Sequence, residues 1–179
     1  GGPYALDLNA NLTLDGSAST DPNSSAGDSI VAYDWDLDND GQFDDATGVS
    51  PTVDWNSLVN LGVGTVGNHT IGLQVTDSLG LTNSATTSLT IYDNRPTASF
   101  TATPNPAAPN QTITLDASAS SHGRPDRAIV SYDWDLDNDG QFDDATGAQV
   151  THAFSAFGNY TVRLQVTDDN NPAKTDISS

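Results

Sequence analysis

The chain has 179 residues, no cysteine and a formal net charge of −19. These values exclude a disulfide framework or thiolate metal site, and they oppose the basic footprint of nucleic-acid or anionic-membrane binding. Asp supplies all 24 acidic side chains, Lys and Arg together number 5, and no apolar run is long enough to span a bilayer, so neither nucleic-acid binding nor membrane insertion is expected.

Glu and Met are absent, while Thr, Val, Asn, Ser and Gly are plentiful, a composition suited to strands and turns. Short runs with two-residue alternation, separated by turn-rich stretches, predict an all-β sandwich or barrel. In chain order, Leu12 and Leu14 mark an early strand. Val31, Tyr33, Trp35 and Leu37 are expected to share one inward face, as are Ile71, Leu73 and Val75. Trp55 is placed on a middle strand, with a longer surface loop between it and His69. Ala85, Thr87, Leu89 and Ile91 predict a last strand, after which Asp93-Asn94-Arg95-Pro96 turns the chain.

The pattern then restarts. Thr97 to Phe100 opens a second unit, and Pro104, Pro106 and Pro109 point to an edge strand. Ile113 and Leu115, then Val130, Tyr132, Trp134 and Leu136, then Val162, Leu164 and Val166 repeat the earlier alternation. Phe154 stands in the place of Trp55, and Tyr160 begins the strand where the first copy has His69. The sixteen residues Tyr33 to Gly48, YDWDLDNDGQFDDATG, recur letter for letter at Tyr132 to Gly147. Two tandem domains follow, residues 1–93 and 94–179. The second is expected to stop partway through its last strand. No signal peptide precedes Gly1, so the chain reads as a piece of a longer protein with neighbouring domains as partners.

Leu14-Asp15-Gly16-Ser17-Ala18-Ser19, Tyr33-Asp34-Trp35-Asp36, Gly158-Asn159-Tyr160-Thr161-Val162 and Gln165-Val166-Thr167-Asp168 together resemble the PKD domain, the polycystic-kidney-disease repeat. The resemblance covers essentially the whole chain, twice. It implies two tandem immunoglobulin-like β-sandwich domains of an extracellular protein, secreted or on a cell surface, bacterial or archaeal in origin. It implies no catalytic activity. The chain departs from the family where a compact Phe-Gly-Asp-Gly turn usually follows the Trp-Asp pair. Here the longer, acidic run Leu37 to Asp45 replaces it.

That run carries the chemistry. Asp36-x-Asp38-x-Asp40-Gly41-x-x-Asp44, and its copy Asp135-x-Asp137-x-Asp139-Gly140-x-x-Asp143, follow the first six positions of an EF-hand loop. Alternate carboxylates on a tightly curled backbone converge on one point, and the Gly supplies the positive φ of the sharp turn. The carbonyls of Gln42 and Gln141 are expected at position 7. Asp44 and Asp143 are expected to close the shell, resembling the nine-residue calcium loops of integrin β-propellers. Asp45 and Asp144 stand ready for a second contact, and Phe43 for anchoring the loop. Hard oxygen donors without His or Cys favour Ca²⁺, one ion per domain with room for a second.

Other residues read as structural. Asp21 and Asp77, with Asp168 in the second copy, are expected to cap turns; the family resemblance implies calcium binding in that region as the alternative. Trp35 and Trp134 are expected in the core. His122 and His152 have no partner motif, and no nucleophile elbow is present, so no enzyme is expected. The favoured reading is a calcium-binding spacer of a cell-surface or secreted protein, with calcium rigidifying the tandem. The alternative is an adhesion module binding polysaccharide, an extracellular-matrix-like protein or itself.

Overall fold

The computed structural model describes residues 1–22, 24 and 27–179. The chain divides into two compact units, Gly1–Asp93 and Asn94–Ser179, and its regular secondary structure is almost wholly strand. No helix among the described residues is long and apolar enough to cross a membrane.

The first unit contains β1 (Tyr4–Asp7), β2 (Leu12–Thr13), β3 (Ile30–Asp36), β4 (Ala46–Thr47), β5 (Thr52–Val53), α1 (Trp55–Asn60), β6 (Gly67–Asp77) and β7 (Thr82–Tyr92). One sheet runs β1-β7-β6-β3-β4, and β2 pairs with β5 in a second. The β1–β7 pair is parallel and the others are antiparallel. Leu12 and Leu14 from one side meet Trp35, Leu37, Ile71 and Leu89 from the other, forming a single buried core. Trp35 is 2% exposed, and its indole N–H donates to the Gly48 carbonyl at 3.0 Å. The core role expected for this tryptophan therefore holds, with its polar edge satisfied.

The second unit contains β8 (Pro96–Thr97), β9 (Thr101–Thr103), β10 (Ile113–Asp116), β11 (Ser121–His122), β12 (Ile129–Asp135), β13 (Ala145–Thr146), β14 (Gln149–His152), β15 (Arg163–Asp168) and β16 (Thr175–Ser178). A four-stranded sheet runs β13-β12-β15-β16, a three-stranded sheet runs β14-β10-β9, and β8 pairs with β11. Strand β9, just before Pro104, lies at a sheet edge as expected. Trp134 is fully buried, donates to Gly147 O at 2.9 Å, and meets Phe100 edge-on at 5.1 Å between ring centroids. Each unit is thus a β-sandwich packed around one strand-borne tryptophan.

Some expectations change. Val31 and Val130 do not join the inward faces; they are 62% and 63% exposed. Strand register slips between Ile30 and Ala32, and again between Ile129 and Ser131. The extra residue of each bulge inverts the alternation; Ile129 packs against its core instead, and Ile30 is half-buried. Trp55 lies at the start of α1, not on a strand, and the stretch after it is not merely a surface loop. Asp54 caps the helix by accepting from Ser57 N at 3.1 Å. Gly62, at φ +80, ends it, with Gly62 N donating to Val59 O and Val63 N to Leu58 O, the double bond of a Schellman motif. Leu58 and Val63 enter the core at 0% and 5% exposure.

Phe154 likewise falls after β14, outside any strand. It stacks on Tyr160 at 3.9 Å between centroids, and Tyr160 itself precedes β15. The Tyr160 hydroxyl donates to Ala156 O at 3.0 Å, four residues upstream. His69 pairs its Nε2 with Thr65 O at 2.8 Å across the same interval. The two side chains fasten the same corner of their units.

Candidate metal centres

The two acidic loops take the same conformation. Strand β3 ends at Asp36, which is 4% exposed. The chain then reverses through Asn39 (φ +60) and Gly41 (φ +89). Gly41 N donates to Asp36 Oδ2 at 3.0 Å, Asp40 N to Asp38 Oδ1 at 3.1 Å, and Gln42 N to Asp40 Oδ1 at 2.7 Å. In the second unit, Asn138 and Gly140 have φ of +62 and +91, and the matching bonds measure 3.1, 3.0 and 2.7 Å. Phe43 lies against β6, where a Cβ on Gly72 would sit 3.1 Å from its ring.

This curl brings one oxygen each of Asp36, Asp38 and Asp40 within 4.8 Å of one another, and does the same for Asp135, Asp137 and Asp139. Two carboxylates about 4 Å apart repel by about 4 kcal/mol at an effective dielectric of about 20. In each loop the inner oxygen, Asp36 Oδ1 or Asp135 Oδ1, is buried with no hydrogen-bond partner. A buried acceptor left unsatisfied costs about 1–3 kcal/mol, and more when charged. An oxygen-seeking cation would offset both costs, so the donor set fits calcium.

The other expected carboxylates are not part of these triads. Asp44 and Asp143 are exposed and outside the gathered oxygens. Asp45 and Asp144 turn back on the loop instead. Asp45 Oδ2 accepts from Leu37 N at 2.6 Å and Asp38 N at 3.3 Å; Asp144 Oδ2 accepts from Leu136 N at 2.6 Å and Asp137 N at 3.2 Å. They brace the curl. The Gln42 and Gln141 side-chain amides donate to Asp40 and Asp139 Oδ2 at 2.8 and 3.0 Å.

The loops differ in what faces them. Asp36 pairs in register with Gly72, whereas Asp135 pairs with Arg163. Arg163 Nη1 is 3.7 Å from Asp135 Oδ2, and its guanidinium carbon lies 5.2 Å from the centroid of the Phe142 ring.

A third acidic group comprises Asp21, Asp28 and Asp77, one oxygen of each again within 4.8 Å of the others. Asp77 Oδ1 caps its turn as expected, accepting from Leu79 N at 2.9 Å and Leu81 N at 2.8 Å. Asp28 escaped the sequence reading. The signal for it was its place two residues before Ile30, where the second copy has Arg127 before Ile129. His122, which belongs to no sequence motif, is paired. Its Nε2 is 3.1 Å from Asp168 Oδ2, and both side chains are almost fully buried. Burial would raise the Asp168 pKa, but bonds from Lys174 N–H, Asn170 and His122 outweigh it and lower the value to about 2.

Residues 93–178 match the PKD domain model. The chain is 33% identical over 187 residues to the dyslexia-associated protein KIAA0319 homolog of Mus musculus, aligning 97% of this chain and 16% of that protein. It is 33% identical over 191 residues to dyslexia-associated protein KIAA0319 of Homo sapiens, aligning 98% of this chain and 16% of that protein. The chain therefore spans about one sixth of the length of these relatives. They are mammalian, and give no support to a bacterial or archaeal origin. Fibronectin(III)-like modules of Clostridium thermocellum CbhA align over 97% of this chain and 86% of that chain, at 10% identity and a TM-score of 0.37; that likeness carries no weight here. Residues 93–178 of this chain form a PKD domain.

Proposed function

We propose that the chain is a calcium-binding spacer module of a cell-surface or secreted protein, with one ion in each acidic loop. The buried, unpartnered inner oxygen of Asp36, repeated at Asp135, carries this reading. The Asp36, Asp38 and Asp40 carboxylates, and their counterparts in the second unit, would hold the ion. Backbone carbonyls and water would complete the six to eight oxygens calcium takes. The ion supplies positive charge that cancels repulsion within the triad. The letter-for-letter repeat of Tyr33 to Gly48 supports reading residues 1–93 as a second PKD-type domain, in tandem with the first. Calcium bound at both loops would stiffen such a tandem, and the extracellular setting of the family supplies the ion.

Free calcium at ten times the dissociation constant would add about 1.4 kcal/mol of stability per site. Thermal melts in calcium and in EDTA test this. Calcium should raise the melting temperature, and Asp38→Ala with Asp40→Ala should remove the first unit's share of the rise. Identical melts in both buffers would refute the reading.

A recognition module for polysaccharide, matrix-like protein or a second copy is the alternative. It draws on Phe157, 88% exposed, beside an open cavity of about 770 Å³ that Phe154, Tyr160 and Pro106 help line. Retention on insoluble glycan or collagen, lost on Phe157→Ser, would favour it.

A further inference from the structure

We propose that His122 is a pH-sensitive latch in the second unit: neutral, it pins the turn from Gly123 to Arg127, and on gaining a second ring proton it lets that turn go. The tautomer carries the argument. Arg124 N donates to His122 Nδ1 at 2.9 Å. A ring nitrogen that accepts carries no proton, so the single N–H of the neutral ring is at Nε2. Nε2 lies 3.1 Å from Asp168 Oδ2 and donates to it. The two side chains are 4% and 0% exposed, too buried for water to stand in for either bond.

The surroundings fix these roles. Asp168 Oδ1 accepts from Lys174 N at 2.8 Å and Asn170 N at 3.1 Å, and Oδ2 accepts from the Asn170 side chain as well as from His122. Both carboxylate oxygens are therefore filled by N–H donors. Among the charged groups of the elements packed around the ring, Asp168 bonds it directly. Lys174 Nζ donates to Asn94 O, and Asp176 Oδ2 accepts from Ala98 N at 2.8 Å. Arg127 Nη1 stands 3.9 Å from Asp169 Oδ1, and Arg124 Nε pairs with Asp126 at 2.8 Å. Arg95, ahead of β8, accepts from Gly123 N through its carbonyl at 3.0 Å.

A histidine takes up a proton as pH falls through about 6.5, and its ring then donates from both nitrogens. In this site Nδ1–H and Arg124 N–H would become two donors facing each other with no acceptor between them. The imidazolium keeps Asp168, whose negative charge attracts it, so the bond that breaks is the one to Arg124. The turn is then left with longer or more exposed ties. Arg127 N reaches Arg124 O at 3.3 Å and Ala128 N reaches Asp169 Oδ1 at 3.2 Å, and the exposed Arg124–Asp126 pair adds little. The first unit has no such ring. Asp21 follows Leu14 by the interval at which His122 follows Leu115, so the latch belongs to the second unit alone.

NMR of the whole chain in EDTA tests each part. At about pH 7.5 the His122 ring should show the neutral tautomer protonated at Nε2, and the Arg124 amide should be protected from hydrogen exchange. Between about pH 7 and about pH 5 the ring should titrate, and the Arg124 protection factor should fall about tenfold in step with it, the equivalent of one lost hydrogen bond. Asp168 titrates near 2, so it stays ionised throughout this step. His122→Gln offers an oxygen to Arg124 N and an N–H to Asp168 at every pH, so its Arg124 protection should not change over the same range. Should that variant fail to hold the turn at neutral pH, the paired titration in the unmodified chain still decides. A neutral ring protonated at Nδ1, a ring that stays neutral at about pH 5, or an Arg124 protection factor that holds constant while His122 titrates would overturn the proposal.

Discussion

Arg163 Nη1 stands 3.7 Å from Asp135 Oδ2, while the residue opposite Asp36 in the same register is Gly72. Two loops of identical sequence thus meet different fields, one with a fixed positive charge at its edge and one without. A unit charge roughly 6 Å from a divalent ion opposes it by about 1.4 kcal/mol at the dielectric of water. The second loop should therefore bind calcium about tenfold more weakly than the first. Arg163→Gln should bring the two affinities together, read from a two-site titration. Equal affinities in the unmodified chain would show that the guanidinium exerts no such effect.

Leu58 ties the α1 insertion to the first core. It is fully buried between the sheets, and truncating such a side chain costs about 2–5 kcal/mol. Leu58→Ala should lower the first unit's unfolding free energy by about that amount in urea, while leaving the second unit's transition in place. A loss under about 0.5 kcal/mol, typical of an exposed position, would mean that the helix merely lies on the surface.

Acid should weaken the second unit through Asp168. Its folded pKa of about 2 lies below the ordinary 3.8. A depressed carboxyl stabilises the fold above the unfolded value, and that contribution is lost as pH falls from about 4 toward 2. In EDTA, Asp168→Asn should flatten the second unit's stability across this window relative to the unmodified chain. Parallel curves for the two proteins would place the acid sensitivity elsewhere.

The corner bond from Tyr160 to Ala156 should also be measurable. Tyr160→Phe removes a bond of 3.0 Å but keeps the stack on Phe154, so the loss should be about 0.5–1.5 kcal/mol. Tyr160→Ala should cost more, since it removes the stack as well. Equal losses in the two variants would assign the whole effect to the hydroxyl.

Particular residues show where the sequence was legible. Alternation around Trp35 and Trp134 located the core strands because side-chain direction in a strand has period two. The same rule misled at Val31 and Val130, where a bulge adds a residue and no local signal marks it. The helix after Trp55 did carry signals, Asp54 at its start and Gly62 at its end. The Gly, Val and Asn content of the stretch and the expected match of Trp55 to Phe154 point instead to a strand followed by a loop. In the loops, spacing along the chain brought Asp36, Asp38 and Asp40 together correctly. It could not say that Asp45 would spend its carboxylate on Leu37 and Asp38 N–H groups, because that depends on how the strand leaving the loop pairs with β3. Asp28 was hidden for a similar reason: its approach to Asp77 comes only from the pairing of β3 with β6.

The acidic loops are best tested by a crystal structure of the chain grown with calcium and no chelator. The ion-binding account predicts density at both loops, with the cation about 2.3–2.6 Å from Asp36 Oδ1 and from Asp135 Oδ1, the range of calcium–oxygen bonds. Water alone at hydrogen-bond distance from both oxygens, in well-ordered loops, would contradict it.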